Sequence, residues 1–190
     1  MVTTQKLDEA SEFAQRMLRN PKAGPTLVRL GNNVMAVDRD VCIKMTGSVS
    51  ELNLLTRLYE IDPVHTVKPL FAVLGENGKM IGYGMERLKM TLHQFGRVMD
   101  PRIVEKWMPE IEAQIREAVT NYTRAGYGHG DLASCNGGID IGEKNELIVK
   151  LFDPLDLSAK GPTWPLGSAW LNTTFKDCDK MIMAIRPDKL

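Results

Sequence analysis

The chain has 190 residues, with 24 Lys and Arg against 24 Asp and Glu, so its formal net charge is zero. This length suits one domain or two small lobes, and the absence of long like-charge runs argues against nucleic acid as a partner. Cys42, Cys135 and Cys178 are odd in number and widely spaced, which predicts neither a disulfide framework nor a zinc site. Without a signal pattern or a run of about 20 apolar residues, the sequence predicts a cytoplasmic protein that makes no use of a membrane.

The first third of the chain changes from a helical to an extended pattern. Apolar residues recur every three or four positions in Asp8–Arg19, which predicts an amphipathic helix. The runs Thr26–Leu30, Val34–Val37 and Val41–Met45 are short, rich in β-formers and separated by turn residues. They predict an antiparallel meander.

A second helix is predicted directly after the meander. Ser48 offers an N-cap for Glu51–Glu60, which carries one apolar stripe, and Asp62-Pro63 ends the pattern. Glu51 therefore lies in the first turn of a helix that follows the strand ending near Lys44.

Two more strands complete the predicted sheet. Val67–Leu74 and Met80–Glu86 are joined by a turn that contains Asn77-Gly78, the strongest short hairpin signal. Together with the meander they predict a five-stranded antiparallel sheet.

A long helix is predicted in the middle of the chain. Asp100 is a good N-cap, a proline follows it, and a 3.6-residue apolar period continues to Arg124. Pro109 should kink this helix or split it in two, and Gly126 suits the position just beyond its end.

The stretch Tyr127–Asn136 is followed by a hairpin and by an aspartate. Asp131 and Asn136 are five residues apart, and Asp153 ends the apolar strand Glu146–Phe152. Carboxylate and amide oxygens are the ligands that Mg²⁺ prefers, and this set of side chains is typical of phosphoryl transfer.

These residues together resemble the catalytic parts of protein kinases. Val41-Cys42-Ile43-Lys44 is similar to the V-A-I-K strand, His129-Gly130-Asp131 to the H-R-D motif, and Asp153 to the aspartate of D-F-G. The resemblance covers about residues 26 to 158 and is closest in kind to the minimal kinases of bacterial secreted effectors and podovirus-type bacteriophages.

The resemblance implies a two-lobed α+β fold. Residues 1–88 would form an N-lobe with the N-terminal helix, the five-stranded sheet and one αC-type helix. Residues 89–190 would form a truncated, mainly helical C-lobe that carries the catalytic loop. Its last predicted element is the helix Thr173–Ile185.

The resemblance also assigns catalytic roles. Lys44 would hold the α- and β-phosphates of ATP, paired with Glu51 rather than Glu60. Asp131 would take the proton of the attacking hydroxyl, and His129 would brace the loop as a packed, satisfied side chain. The metal ligands would be Asn136 and Asp153.

The nucleotide-binding residues follow from the same resemblance. Met85 would lie behind the adenine, and the backbone of Glu86 to Leu88 would hydrogen-bond the base. Gly31 is the one glycine kept from the glycine-rich loop, which predicts weak or exposed ATP binding.

Three further departures shape the expectation. Ala133 stands where most Ser/Thr kinases have a lysine, so one positive charge on the transition state would be missing. Gly130 replaces the arginine that reads activation-loop phosphorylation, which predicts constitutive activity. No A-P-E motif follows Asp153, so the usual platform for a substrate peptide would be absent.

The leading functional hypothesis is an ATP- and Mg²⁺-dependent protein kinase, most simply one that phosphorylates Ser or Thr of a host-cell protein in the host cytoplasm. A pseudokinase that acts as a binding module is the first alternative. A small-molecule phosphotransferase is the second, since the H-G-D form also occurs in those enzymes.

Overall fold

The computed structural model describes residues 28–29, 34–36, 40–155 and 168–186, with side chains for residues 40–155 and 176–186. The predicted helix Asp8–Arg19 and Gly31 lie outside the described residues. The chain forms two compact units of mixed α+β structure, which confirms the predicted class. The sequence predicted a single division after residue 88. In the structure the first unit is made of two segments, one up to Asn53 and the other Lys68–Arg87, and the intervening Leu54–Val67 belongs to the second unit.

The described part of the first unit contains a five-stranded sheet in the order β1-β2-β3-β5-β4, in which every neighbouring pair is antiparallel. The strands are β1 (Val28–Arg29), β2 (Val34–Ala36), β3 (Val41–Lys44), β4 (Pro69–Leu74) and β5 (Met80–Glu86). The order places β3 between β2 and β5.

The register of β3 against β5 matters for the site. Lys44 lies opposite Tyr83, and Ile43 lies opposite Gly84. Gly82, next to Tyr83, has no room for a side chain, because a Cβ there would meet the carbonyl oxygen of Lys44. The two strands are therefore in close contact at Lys44.

Helix α1 (Val49–Ile61) begins two residues earlier than predicted. The Ser48 hydroxyl accepts a hydrogen bond from the amide of Glu51 at 3.2 Å, as an N-cap does. Leu55 and Leu58 are fully buried, in agreement with the predicted stripe.

The second unit combines a small sheet with helices. Strands β6, β7 and β8 form a three-stranded antiparallel sheet in that order. The further elements, in chain order, are β6 (Met90–Thr91), α2 (Leu92–Val98), α3 (Pro101–Arg124), β7 (Gly137–Ile141), β8 (Leu147–Leu151) and α4 (Ser168–Ile185). None of the helices in the described part of the chain has the length and apolar character needed to cross a membrane.

Helix α2 was not predicted, although the sequence carries its signal. The Thr91 hydroxyl accepts from the amide of Gln94 at 3.1 Å, and the Gln94 side chain accepts from the amide of Thr91 at 3.0 Å. This reciprocal pair is a capping box, which a Thr-x-x-Gln pattern encodes.

Helix α3 runs unbroken from Pro101 to Arg124, so the alternative that Pro109 splits it is wrong. Proline removes one backbone hydrogen bond, but Met108, Ile111 and Ile115 are buried on the two turns around it. Burial of an apolar side chain contributes roughly 1.5–3 kcal/mol, so three of them offset a cost of about 3 kcal/mol.

The end of α3 delivers the chain into the loop that follows. Gly126 has a φ of 85°, its amide donates to Thr123 O at 3.0 Å, and the amide of Tyr127 donates to Tyr122 O at 2.9 Å. This is a Schellman motif, and it confirms the prediction for Gly126.

A buried polar cluster fixes the segment after α1 to α3. The Asp62 carboxylate accepts from the amide of His65 at 3.0 Å and from Nδ2 of Asn121 at 2.9 Å, and Nδ1 of His65 lies 3.0 Å from it. Burial raises the pKa of Asp62, but these hydrogen bonds outweigh that effect and hold it at about 2.

The outer edge of β8 is hydrogen-bonded at both of its ends and in its middle. Gln114 donates to Leu147 O and accepts from the amide of Val149, and the amide of Leu151 donates to His65 O at 2.8 Å. Leu151 O accepts from the amide of Val67 at 3.0 Å. The strand that leads to Asp153 is therefore fixed on both sides.

Candidate functional site

Lys44 and Glu51 form an ion pair within the first unit. Lys44 Nζ donates to Glu51 Oε1 at 2.8 Å, and the two side chains are only 11% and 14% exposed. The choice of Glu51 over Glu60 matches this contact, since Glu60 pairs with Arg57 at 2.7 Å. Lys44 is therefore not a solvated strand lysine, while its role toward phosphates stays a prediction.

The local sequence explains why Glu51 is available to Lys44. Ser48-x-x-Glu51 matches a capping box, in which the glutamate would turn back to the amide of Ser48. That amide instead donates to Thr46 Oγ1 at 3.2 Å. The Glu51 carboxylate is thereby released from the cap and extends to Lys44.

Tyr83 is a member of this group that the sequence analysis missed. Its hydroxyl donates to Glu51 Oε1 at 2.6 Å, the same oxygen that Lys44 contacts, and its side chain is completely buried. No pattern in the sequence marks it, because the contact depends on the register between β3 and β5.

The predicted hinge residues lie at the end of β5 and just beyond it. Met85 is buried, and the amide of Glu86 donates to Lys68 O at 3.0 Å, so that amide is already used. Among the described residues, Leu88 has no hydrogen-bond partner for its backbone groups. Of the predicted hinge residues, Leu88 is thus the one whose two backbone groups have no hydrogen-bond partner among the described residues.

The loop of the second unit begins with a glycine that no other residue could replace without strain. Gly130 has a φ of 75°, and a Cβ there would press on the carbonyl oxygen of Leu155. The amide of Leu155 donates to His129 O at 2.9 Å. The residues after Asp153 therefore fold back onto the loop, and the arginine of H-R-D is sterically excluded.

Asp131 and Asn136 are in direct contact. Asn136 Nδ2 donates to Asp131 Oδ2 at 2.8 Å and to Asp131 O at 3.1 Å. The single 3₁₀ turn Ser134–Asn136 brings them together and buries Asn136, whereas Asp131 is exposed. Because the amide nitrogen faces Asp131, the amide oxygen is the atom left for a cation, and it lies 3.4 Å from Cys135 Sγ.

Asp153 lies two residues after Leu151, the last residue of β8. The amide of Phe152 donates to Asn136 O at 2.9 Å, so Asp153 comes one residue after the backbone partner of Asn136. Its φ is 58°, in the left-handed region that aspartate tolerates better than most residues. Backbone strain of this kind is typical of functional sites.

The residues present could hold a magnesium ion only as a site with few protein ligands. Within the described part of the chain, no three His, Cys, Asp or Glu side chains lie together as a metal cage. Mg²⁺ is commonly held by one or two carboxylates, with waters and substrate phosphates as the other ligands. The Asp153 carboxylate and the Asn136 amide oxygen are ligands of the types that such a site uses.

His129 is buried, with 2% of its surface exposed. Burial lowers its pKa to about 4, although the backbone of Phe152 and the carboxylate of Asp131 favour the protonated form to a smaller extent. Neither ring nitrogen has a hydrogen-bond partner in good geometry among the described residues, so the structure does not show the satisfied side chain that was expected. A neutral, packed imidazole agrees with the predicted bracing role.

Comparison of the chain with protein-family models and with curated proteins finds no match. The kinase resemblance therefore depends on the residues and contacts described above.

Proposed function

We propose that the protein is an ATP- and Mg²⁺-dependent protein kinase that transfers the γ-phosphate to a serine or threonine hydroxyl of a host-cell protein. The observation that carries the proposal is the Lys44–Glu51 pair. Its two side chains are little exposed, and such a pair contributes little net stability because both charges lose hydration. A lysine held this way is well suited to a function that needs a fixed positive charge.

The second unit supplies the groups for the acceptor. Asp131 is exposed, and Asn136 Nδ2 donates to its carboxylate Oδ2 and to its backbone oxygen, so the other carboxylate oxygen can accept the hydroxyl proton. The acceptor oxygen bonds to the γ-phosphorus as the bond from that phosphorus to the bridging oxygen of ADP breaks. Lys44 holds the α- and β-phosphates in the proposed reaction.

Asn136 and Asp153 would hold the metal. Bound Mg²⁺ supplies neutralisation of the phosphate charge that builds up during transfer. No lysine or arginine lies between Tyr127 and Asn136, so slow turnover is expected.

The test is transfer of label from γ-labelled ATP and Mg²⁺ into proteins of a bacterial and a eukaryotic lysate. Wild type is compared with Lys44→Met and Asp153→Asn, each of which should lose at least about 100-fold in rate, the cost typical of one electrostatic group. Lys68→Met and Asp140→Asn are the matched controls, since they change the same residue types outside the proposed machinery. Both controls should keep the wild-type rate.

Three results would contradict the proposal. Near-normal transfer by Lys44→Met or Asp153→Asn would remove the assigned roles. Retained ATP binding without transfer would favour a non-catalytic binding module. Label found only in small hydroxyl compounds, offered without protein, would favour a small-molecule phosphotransferase.

A further inference from the structure

The Lys44–Glu51 pair joins two flexible side chains, and such a pair loses rotamer freedom when it forms. Glu51 has three side-chain torsions, and its carboxylate is released from the helix cap. A second hydrogen-bond partner of Glu51 that is itself immobile would restrict the Glu51 side chain before it pairs with Lys44.

Tyr83 has the properties of such a partner. It lies in the middle of β5, which pairs with β3 on one side and β4 on the other. The ring is completely buried, and only two torsions set the position of its hydroxyl. The hydroxyl contacts Glu51 Oε1 at 2.6 Å, a short distance typical of a hydrogen bond to an ionised carboxylate.

The register of the sheet makes this contact specific. Lys44 and Tyr83 are directly opposite on β3 and β5, and both donate to the same oxygen of Glu51. Strand and helix are thus connected through one carboxylate atom, with donors from two adjacent strands. A shift of the register by one residue would move Tyr83 to the other face of the sheet.

We propose that Tyr83 is a positioning residue for phosphate transfer, which holds the Glu51 carboxylate so that Lys44 Nζ is fixed. This inference rests on the proposed kinase function for its catalytic meaning. The contact itself belongs to the first unit alone. Tyr83 acts through Glu51 and has no contact of its own with the reacting atoms in this proposal.

The main experiment is a double-mutant cycle on kcat/KM for ATP with Tyr83→Phe and Glu51→Ala. Removal of the hydroxyl leaves the ring in place and should reduce kcat/KM by about tenfold, the effect of losing a hydrogen bond to a charged group. The same change in the Glu51→Ala background should have no further effect, since the oxygen that accepts the hydrogen bond from Tyr83 is gone. A purely structural role would give equal losses in both backgrounds.

Tyr122→Phe is the matched control. Tyr122 is also a buried tyrosine, 1% exposed, and its hydroxyl lies 2.6 Å from Thr66 Oγ1, away from the proposed machinery. Its removal should leave kcat/KM within about twofold of wild type. An equal loss in Tyr83→Phe and Tyr122→Phe would overturn the proposal, as would unchanged kinetics in Tyr83→Phe.

A second measurement separates this inference from the proposed function. The rate at which an amine-reactive acetylating reagent modifies Lys44, followed by mass spectrometry, requires no activity. It should rise about tenfold in Tyr83→Phe and stay at the wild-type value in Tyr122→Phe. If the wild type transfers no phosphate, the kinase proposal fails. Faster modification of Lys44 in Tyr83→Phe would still show that Tyr83 positions Lys44 through Glu51. Equal modification rates in wild type and Tyr83→Phe would contradict this positioning role.

Discussion

Gly130 offers the sharpest test of the loop geometry, through the substitution Gly130→Ala. The residue has a φ of 75°, and an added Cβ would meet the backbone carbonyl of Leu155, which cannot move like a flexible side chain. Gly78 is the matched control, because it has a φ of 71° in a turn but no atom within 4 Å of an added Cβ. The pair therefore separates the cost of the left-handed backbone from the cost of the clash.

The magnitude follows from these two costs. A left-handed conformation costs an alanine about 1–2 kcal/mol, which both variants should lose. The clash with Leu155 should add about 1–3 kcal/mol in Gly130→Ala alone, as overpacking of a close contact does. The displaced Leu155 would also lose its hydrogen bond to His129 O.

Native-state hydrogen exchange measures these losses in each unit separately, since it reports the opening free energy of individual amides. We expect protection of the core amides of β8 to fall more in Gly130→Ala than the protection of β5 falls in Gly78→Ala. Phosphate transfer should drop in Gly130→Ala and remain unchanged in Gly78→Ala. Equal losses of protection in the two variants would show that Leu155 does not press on residue 130.

Two further predictions concern buried groups. Asp62→Asn should lower the free energy of unfolding by about 2 kcal/mol at pH 7, because the folded pKa of about 2 lies below the ordinary aspartate value of 3.8. That stability is present above pH 4 and is lost as the pH falls towards 2, so urea unfolding of wild type and variant should converge there. Burial raises the pKa of Cys42 and Cys178 to about 11, whereas Cys135 is exposed. A thiol reagent at pH 8 should therefore modify Cys135 first, and mass spectrometry showing rapid modification of either buried thiol would contradict the burial.

The sequence was sufficient for features that near neighbours control. Features that involve only a few neighbouring residues were predicted correctly from their patterns. They are the caps at Ser48 and Asp100, the Asn-Gly turn and the Schellman glycine Gly126. The long α3 followed from its apolar period. The tendency of Pro109 to split the helix was overestimated, because helix propensity does not count the apolar side chains that are buried on either side of the proline.

The candidate site likewise has a part that the sequence predicted and a part that it did not. The order of Lys44, Glu51, Asp131, Asn136 and Asp153 was visible in the sequence, and the structure brings Lys44 to Glu51 and Asp131 to Asn136. The roles of these residues in phosphate transfer stay predictions.

What the tertiary structure alone decided are the contacts between residues that are distant along the chain or that depend on backbone conformation. Tyr83 contacts Glu51 across 32 residues, because the register of β5 against β3 places it there. Gly130 is required because Leu155 returns to the loop, and among the described residues neither ring nitrogen of the buried His129 has a hydrogen-bond partner in good geometry. Sequence periodicity specifies which face of an element is buried, but only packing determines which side chain meets which.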